Sequence, residues 1–167
     1  MRKQKGFSLI ELLIVVAIIL IIAAIAIPNL LRARIAANES SAASGIRTIN
    51  TGEISYYTTY QTYSPLNQLG TPGGPTAACT NPPTAAAACV IDGVLAWNGN
   101  PAGAGKSGYN YTAAGGAVTY NAVTDPLAQG QSGVRSFCSV EDAVVRFQPV
   151  GPIGPGACAQ TVAPLSQ

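Results

Sequence analysis

The strongest constraint on the fold is an uncharged stretch of 20 residues, 12–31, near the N-terminus. At about 1.5 Å per residue, a helix of this length spans about 30 Å, the thickness of the hydrocarbon core of a bilayer. One carboxylate, Glu11, stands at the edge of this stretch, four residues after Phe7. Because a charge at the bilayer centre costs roughly 2.5–3.5 kcal/mol, Glu11 requires a shallow position or a compensating partner.

The residues before Phe7 are basic and include Arg2, Lys3 and Lys5. Positive charge beside an apolar span favours the cytoplasmic side, so we expect a single-pass segment with its N-terminus in the cytoplasm. Residues 24–26 offer an A-x-A-like site, which leaves a cleaved secretory signal as an alternative. Against that alternative, the apolar run exceeds the usual ~7–15 residues and contains an acid.

The sequence KGFSLIELL at residues 5–13, followed by VVAII and AIPN, resembles the N-terminus of type IV pilins, specifically type IVa major pilins with a class III prepilin leader. The resemblance implies that residues 1–6 are a leader and that prepilin peptidase cuts between Gly6 and Phe7. It further implies N-methylation of the new amine on Phe7.

In such a pilin the processed Phe7 ammonium would neutralise Glu11 of a neighbouring subunit. Removing one partner of a buried ion pair costs roughly 3–5 kcal/mol, so this pair would fix the stagger between subunits. The resemblance thus implies that Phe7 and Glu11 act in filament assembly.

Residues 32–63 continue with helical spacing, so we predict an amphipathic second half of one long helix. The predicted apolar stripe consists of Leu31, Ile35, Ala42, Ile46 and Ile49. The predicted polar faces carry Arg32, Arg34, Glu39, Ser40, Arg47 and Asn50. Tyrosines cluster at the helix end, where packing is a better interpretation than an electron path.

Pro28 lies within the predicted helix, lacks an amide donor and crowds the carbonyl four residues earlier, so we expect a helix kink. Many pilins carry a glycine where this chain has Leu20. Glycine costs ~1 kcal/mol relative to alanine inside a helix, so melting of this stretch on assembly is less favoured here.

From residue 64 the chain is rich in Gly, Pro, Ala and Thr, which indicates a surface loop. Segments 109–112 and 118–120 flank Gly115-Gly116 and predict a hairpin with a two-residue turn. Segments 134–137 and 143–147 predict a second hairpin that turns at residues 141–142. Residues 90–95 fit either a hairpin or a short helix.

Four cysteines follow the apolar span and would lie outside the cytoplasm, where disulfides persist. Three connectivities are possible. We favour Cys79–Cys89 and Cys138–Cys158, because each pair closes a local loop with little core of its own, and the second resembles the C-terminal disulfide loop of many pilins. Zinc is disfavoured because the chain has no histidine and lacks paired C-x2-C spacing.

The sequence does not indicate catalysis, because histidine is absent and no pair of carboxylates has a spacing typical of general acid–base catalysis. Residues 100–107 nearly match a phosphate-binding loop, but Asn100 replaces its first glycine. The few acids of the C-terminal part favour solvated turns over a calcium loop. The chain without residues 1–6 has 6 basic and 7 acidic residues, a net charge of −1, so no specific nucleic-acid site is expected. We expect neither cofactor, metal nor enzymatic activity.

The predicted class is α+β, with a long N-terminal helix packed on a C-terminal antiparallel sheet, the type IV pilin fold. The domain prediction is a leader at 1–6, a transmembrane and filament-core half-helix at 7–31, an amphipathic half-helix at 32–63 and a globular head at 64–167.

The resemblance implies an inner-membrane precursor that becomes an extracellular pilus subunit serving adhesion, twitching motility or DNA uptake. Its implied partners are identical subunits, the membrane before assembly, prepilin peptidase and the assembly machinery of the inner membrane. A type II secretion pseudopilin or minor pilin is an alternative. A membrane-anchored extracytoplasmic ligand-binding domain is a second alternative, but it leaves Glu11 unexplained.

Overall fold

In the computed structural model, which describes residues 7–165, one long helix precedes a four-stranded antiparallel sheet, and this confirms the predicted α+β class. The chain divides into two compact units between Arg34 and Ile35. The elements are α1 (Leu9–Tyr60), a 3₁₀ helix (Leu66–Leu69), α2 (Gly93–Ala96), β1 (Tyr109–Gly115), β2 (Tyr120–Pro126), β3 (Ser136–Val140) and β4 (Arg146–Gln148).

The part of α1 in the second unit packs its apolar stripe into the main core. Ala42, Ile46 and Ile49 are fully buried there, as the spacing predicted, and Ile35 is half-buried. Leu31, which the spacing predicts to belong to the same stripe, lies in the first unit and is exposed. The buried stripe therefore begins about one turn later than predicted.

The prediction that Glu39 and Asn50 occupy polar faces of the helix is wrong, because both are buried. Asn50 donates to the carbonyl of Ala143 at 3.0 Å and accepts from the hydroxyl of Tyr120 at 3.0 Å. These partners lie 93 and 70 residues away, so helical spacing could not reveal them. Buried polar groups persist where tertiary partners satisfy them.

The four strands form a meander in the order β1-β2-β3-β4, with every neighbouring pair antiparallel. In the first hairpin Gly115 is the last residue of β1 and pairs with Tyr120, so the turn contains four residues, 116–119, and not two. The second hairpin is present, but β3 extends to Val140 and β4 begins only at Arg146. An antiparallel sheet commonly packs one face on the core and leaves the other in solvent, unless another segment covers that second face.

The second face of the sheet is covered by the C-terminal segment, residues 149–165. Cys158 of this segment is bonded to Cys138 of β3, and Val123 and Val140 pack beside that disulfide. Asp125 accepts hydrogen bonds from the backbone N–H groups of residues 153 and 154 at 2.8 and 3.0 Å. Within the second unit, the sheet thus lies between its part of α1 and a Gly/Pro-rich segment.

The segment after α1 is more ordered than the predicted surface loop. Leu66 and Leu69 of the 3₁₀ helix are buried in the main core. Of the two alternatives predicted for residues 90–95, a hairpin or a short helix, the structure has the helix. Asp92 caps this helix by accepting from the N–H groups of Val94 and Leu95. A disulfide joins Cys79 to Cys89, so both pairs in the structure are those that the loop lengths favoured.

Candidate assembly site

The start of α1 places Glu11 against the backbone of Ser8. The Ser8 N–H donates to Glu11 Oε2 at 3.0 Å, and the Ser8 carbonyl accepts from the Leu12 N–H at 3.3 Å. Ser8 therefore occupies the N-cap position and Glu11 the third helical position, and the contact from Glu11 back to the Ser8 N–H is one of the two hydrogen bonds of a capping box. The S-x-x-E spacing is the signal that could have shown this role from the sequence.

The capping contact gives Glu11 a helix-starting role besides its implied role in assembly. Within residues 7–165, Ser8 is the hydrogen-bond donor found for this carboxylate, and it engages Oε2. A carboxylate in the first turn also interacts favourably with the helix dipole. The contact holds the Glu11 carboxylate at the N-terminal end of the helix, against the residue that follows Phe7. Gly6 lies outside the described residues, so its cleavage stays a prediction.

The helix that follows Glu11 exposes apolar side chains on every face. The large apolar residues of 7–31 are between 44% and 79% exposed. By length and composition this is the one helix of the described chain that could cross a membrane. Exposed apolar surface of this extent is untypical of a soluble monomer and indicates burial in lipid or against other chains. Leu20 and Pro28 both lie inside the continuous α1, and the expected kink at Pro28 stays a prediction.

In the second unit, Glu39 fastens the helix to the chain between β2 and β3. Its Oε1 accepts from the backbone N–H groups of Val134 and Arg135 at 3.0 and 3.1 Å, and its Oε2 accepts from the Arg135 guanidinium at 2.7 Å. Burial raises the pKa of Glu39, but these hydrogen bonds and the Arg135 charge outweigh burial and hold the pKa below 4.5. Glu39 is therefore ionised in the folded head at neutral pH.

The tyrosines at the end of α1 pack together, as expected for residues with an apolar ring and a polar tip. Ring centroids of Tyr57 and Tyr63 are 4.7 Å apart, and those of Tyr63 and Tyr120 are 4.9 Å apart. Tyr56 is buried, and its hydroxyl donates to the carbonyl of Ala85 at 2.9 Å. This cluster joins the helix end to β2 and to the segment after the helix.

The remaining candidate motifs have structural partners. Lys106, from the near-match to a phosphate-binding loop, forms an ion pair with Asp92 at 2.9 Å. Asp142 pairs with Arg146, and its pKa is lowered mainly by that hydrogen bond. Among the residues that the structure describes, no group of three or more Asp, Glu, Cys or His side chains could hold a metal ion.

Comparison with known proteins finds a family motif at the N-terminus and similarity to two pilins. Residues 1–27 match the prokaryotic N-terminal methylation motif. The chain is 41% identical over 69 residues to the type IV major pilin protein PilA of Myxococcus xanthus, covering 41% of this chain and 31% of the relative. It is 68% identical over 40 residues to the type IV wide pilus major component PilA4 of Thermus thermophilus, covering 24% of this chain and 30% of the relative.

The matched segments thus span less than a third of each relative, and they comprise 69 and 40 residues of this chain. The fold and the exposed apolar helix define a class of chains with a membrane-length N-terminal helix and an α+β head. Within that class, the methylation motif and the two pilin relatives support a type IV pilin.

Proposed function

We propose that this chain is a structural subunit of an extracellular type IV pilus. The apolar half of α1, residues 7–31, anchors the precursor in the inner membrane and, after removal of residues 1–6, packs against the same segment of identical subunits. The observation that carries the proposal is the all-round exposure of this segment together with the single carboxylate at its start.

The energetics favour burial of this segment, either in lipid or against neighbouring helices. Fully burying one large apolar side chain contributes roughly 1.5–3 kcal/mol, and 17 such side chains between residues 7 and 31 are exposed in the isolated chain. Lipid covers these side chains in the membrane, and neighbouring helices would cover them in a filament. Transfer between the two environments changes the apolar contribution little, so polar contacts such as that of Glu11 would decide the subunit register.

The proposed sequence of events begins with an N-in precursor and prepilin peptidase. Cleavage between Gly6 and Phe7 creates an amine that is methylated, and the pilus assembly machinery of the inner membrane moves the subunit into the filament. The methylation motif over residues 1–27 and the pilin relatives support this sequence. Adhesion, twitching motility and DNA uptake are uses of such a filament. The pseudopilin, minor-pilin and ligand-binding alternatives are not favoured by these relatives.

The experiment combines processing with assembly. Mass spectrometry of the chain from its native cells should show an N-terminal N-methyl-Phe7 peptide, and Glu11→Ala should reach the membrane but yield at least tenfold fewer filaments. Ser8→Ala serves as the matched control, because it keeps the backbone N–H that donates to the Glu11 carboxylate. Normal filament yield from Glu11→Ala, or a leader still attached in sheared filaments, would contradict the proposal.

A further inference from the structure

A second carboxylate of α1, Glu53, is fully buried at the joint between the helix end and the sheet. Its Oε2 accepts from the Ser64 N–H at 3.1 Å, whereas its Oε1 is buried without a hydrogen-bond partner among the described residues. Within residues 7–165 the ion pairs involve Asp92, Glu39 and Asp142 and do not include Glu53. A buried carboxylate with one donor is costly when ionised and much less so when protonated.

The joint is held by contacts between residues 61–65 and the turn from β1 to β2. After α1 ends at Tyr60, the chain reverses, and the Tyr63 N–H and the Thr62 hydroxyl both donate to the carbonyl of Gly116 at 2.9 and 3.1 Å. Gly115 lies so close to the Ser64 backbone that an added Cβ would meet the Ser64 carbonyl oxygen at 2.6 Å. Opening residues 61–65 would break these contacts and admit water to Glu53.

Titratable groups reach Glu53 from each element around it, and all are acids. Tyr56 extends from α1, Tyr63 from the segment after the helix and Tyr120 from β2, and each has its pKa raised, first by burial and also by the Glu53 charge. Glu141 and Asp142, in the turn before β4, also act on Tyr63 and Tyr120, and Asp142 is paired with Arg146 of β4. Because Arg146 is paired with Asp142, no cation among the described residues pairs with the Glu53 carboxylate.

We propose that Glu53 is a pH-sensitive latch: its protonated carboxyl keeps residues 61–65 docked on the β1–β2 turn, and its ionisation releases them. The protonated form fits the dry joint, whereas the ionised form gains hydration only when the segment opens. The latch is a property of the head and does not rest on the proposed pilus function.

The pH range in which the joint should open follows from the pKa of the Glu53 carboxyl in the closed joint and in the opened joint. Burial raises the pKa of Glu53 from 4.5 to about 7, against a lowering by the Ser64 N–H. In the opened joint the carboxyl regains its ordinary pKa, so the opening equilibrium should rise roughly tenfold per pH unit between 4.5 and about 7 and level off above. Below 4.5 both states are protonated and the equilibrium is constant.

Hydrogen exchange of the full-length chain in detergent micelles tests the latch. We expect protection of peptides covering residues 61–66, corrected for intrinsic exchange, to fall more than tenfold between pH 5 and pH 7. In Glu53→Gln, which cannot ionise, protection should be independent of pH. Glu141→Gln is the matched control, because it removes an exposed acid of the same size and should keep the wild-type profile.

Each result decides the proposal. A flat wild-type profile overturns it, and so does an unchanged slope in Glu53→Gln, since another group would then be responsible. If Glu53→Gln does not fold, a carbon-13 titration of the Glu53 carboxyl in the wild-type chain replaces it. A midpoint near 7 supports the latch, and a midpoint near 4.5 overturns it.

Discussion

At the residue scale, the acids of this chain act as structural connectors. Glu11 accepts from the backbone N–H of the N-cap residue, Glu39 joins the helix to a loop 95 and 96 residues away, and Asp125 binds the C-terminal segment. A carboxylate suits such positions because its two oxygens can accept several N–H groups at once. Glu53 differs because one of its oxygens is buried without a partner among the described residues.

Glu39→Ala tests the connector role in the head. The substitution should lower the free energy of unfolding by about 2–3 kcal/mol at pH 7, because it leaves the Val134 and Arg135 N–H groups without their acceptor and removes the ion partner of Arg135. Urea denaturation followed by the fluorescence of the single tryptophan, Trp97, measures the change.

The control for this substitution is Glu141→Ala. Glu141 is exposed and accepts one hydrogen bond, from Gln160 at 3.3 Å, so its loss should change stability by less than about 0.5 kcal/mol. Equal effects of the two substitutions would show that the Glu39 contacts do not stabilise the head.

At the element scale, the sequence predicted repeating patterns well and distant partners poorly. The helix and the two hairpins follow from apolar periods of 3.6 and 2, which are local properties. The burial of Glu39 depends on Arg135, and the 3₁₀ helix depends on a core that Leu66 and Leu69 enter from a Gly/Pro-rich segment. The hydrogen bond between Glu11 and the Ser8 N–H is local, and the S-x-x-E spacing could have predicted it.

The packing of α1 on β1 depends on a glycine. At Gly45 an added Cβ would meet the ring of Tyr111 at 2.5 Å, and that ring is buried. In an isolated helix Gly→Ala would stabilise by roughly 1 kcal/mol, but here the ring cannot move without disturbing the core.

We therefore expect Gly45→Ala to lower the free energy of unfolding of the head by about 1–3 kcal/mol, because overpacking outweighs the gain in helix propensity. Urea denaturation at pH 7 measures it, with the adjacent, exposed Ser44→Ala as control. A head stabilised by Gly45→Ala would mean that α1 shifts on the sheet to accommodate the methyl group.

At the scale of the whole molecule, two units follow different physical rules. The first unit is apolar on all faces and gains its stability from surroundings outside the chain. The second unit has its own core, two disulfides and buried polar contacts. Assembly and the stability of the head can therefore respond separately to solution conditions. Salt and pH act mainly on the second unit, which contains most of the charged residues.

The acids of the head predict that its stability is greatest near pH 4.5–5. Glu39 has a folded pKa below 4.5, so the stability it contributes is present above 4.5 and is lost as the pH falls through the folded value. Glu53 has a folded pKa of about 7, so stability falls as the pH rises from 4.5 to about 7, by up to about 1.4 kcal/mol per unit. Burial raises the pKa of Tyr111 to about 12, so a second fall should begin above pH 10.

Urea denaturation of the full-length chain in a non-ionic detergent, followed by Trp97 fluorescence from pH 3 to pH 9, measures this profile. In Glu53→Gln the decline between pH 4.5 and pH 7 should disappear, while the loss of stability below pH 4.5 remains, because Glu39 is still present. A wild-type maximum at pH 7 or above would contradict the assignment of opposite pKa shifts to these two acids of the same helix.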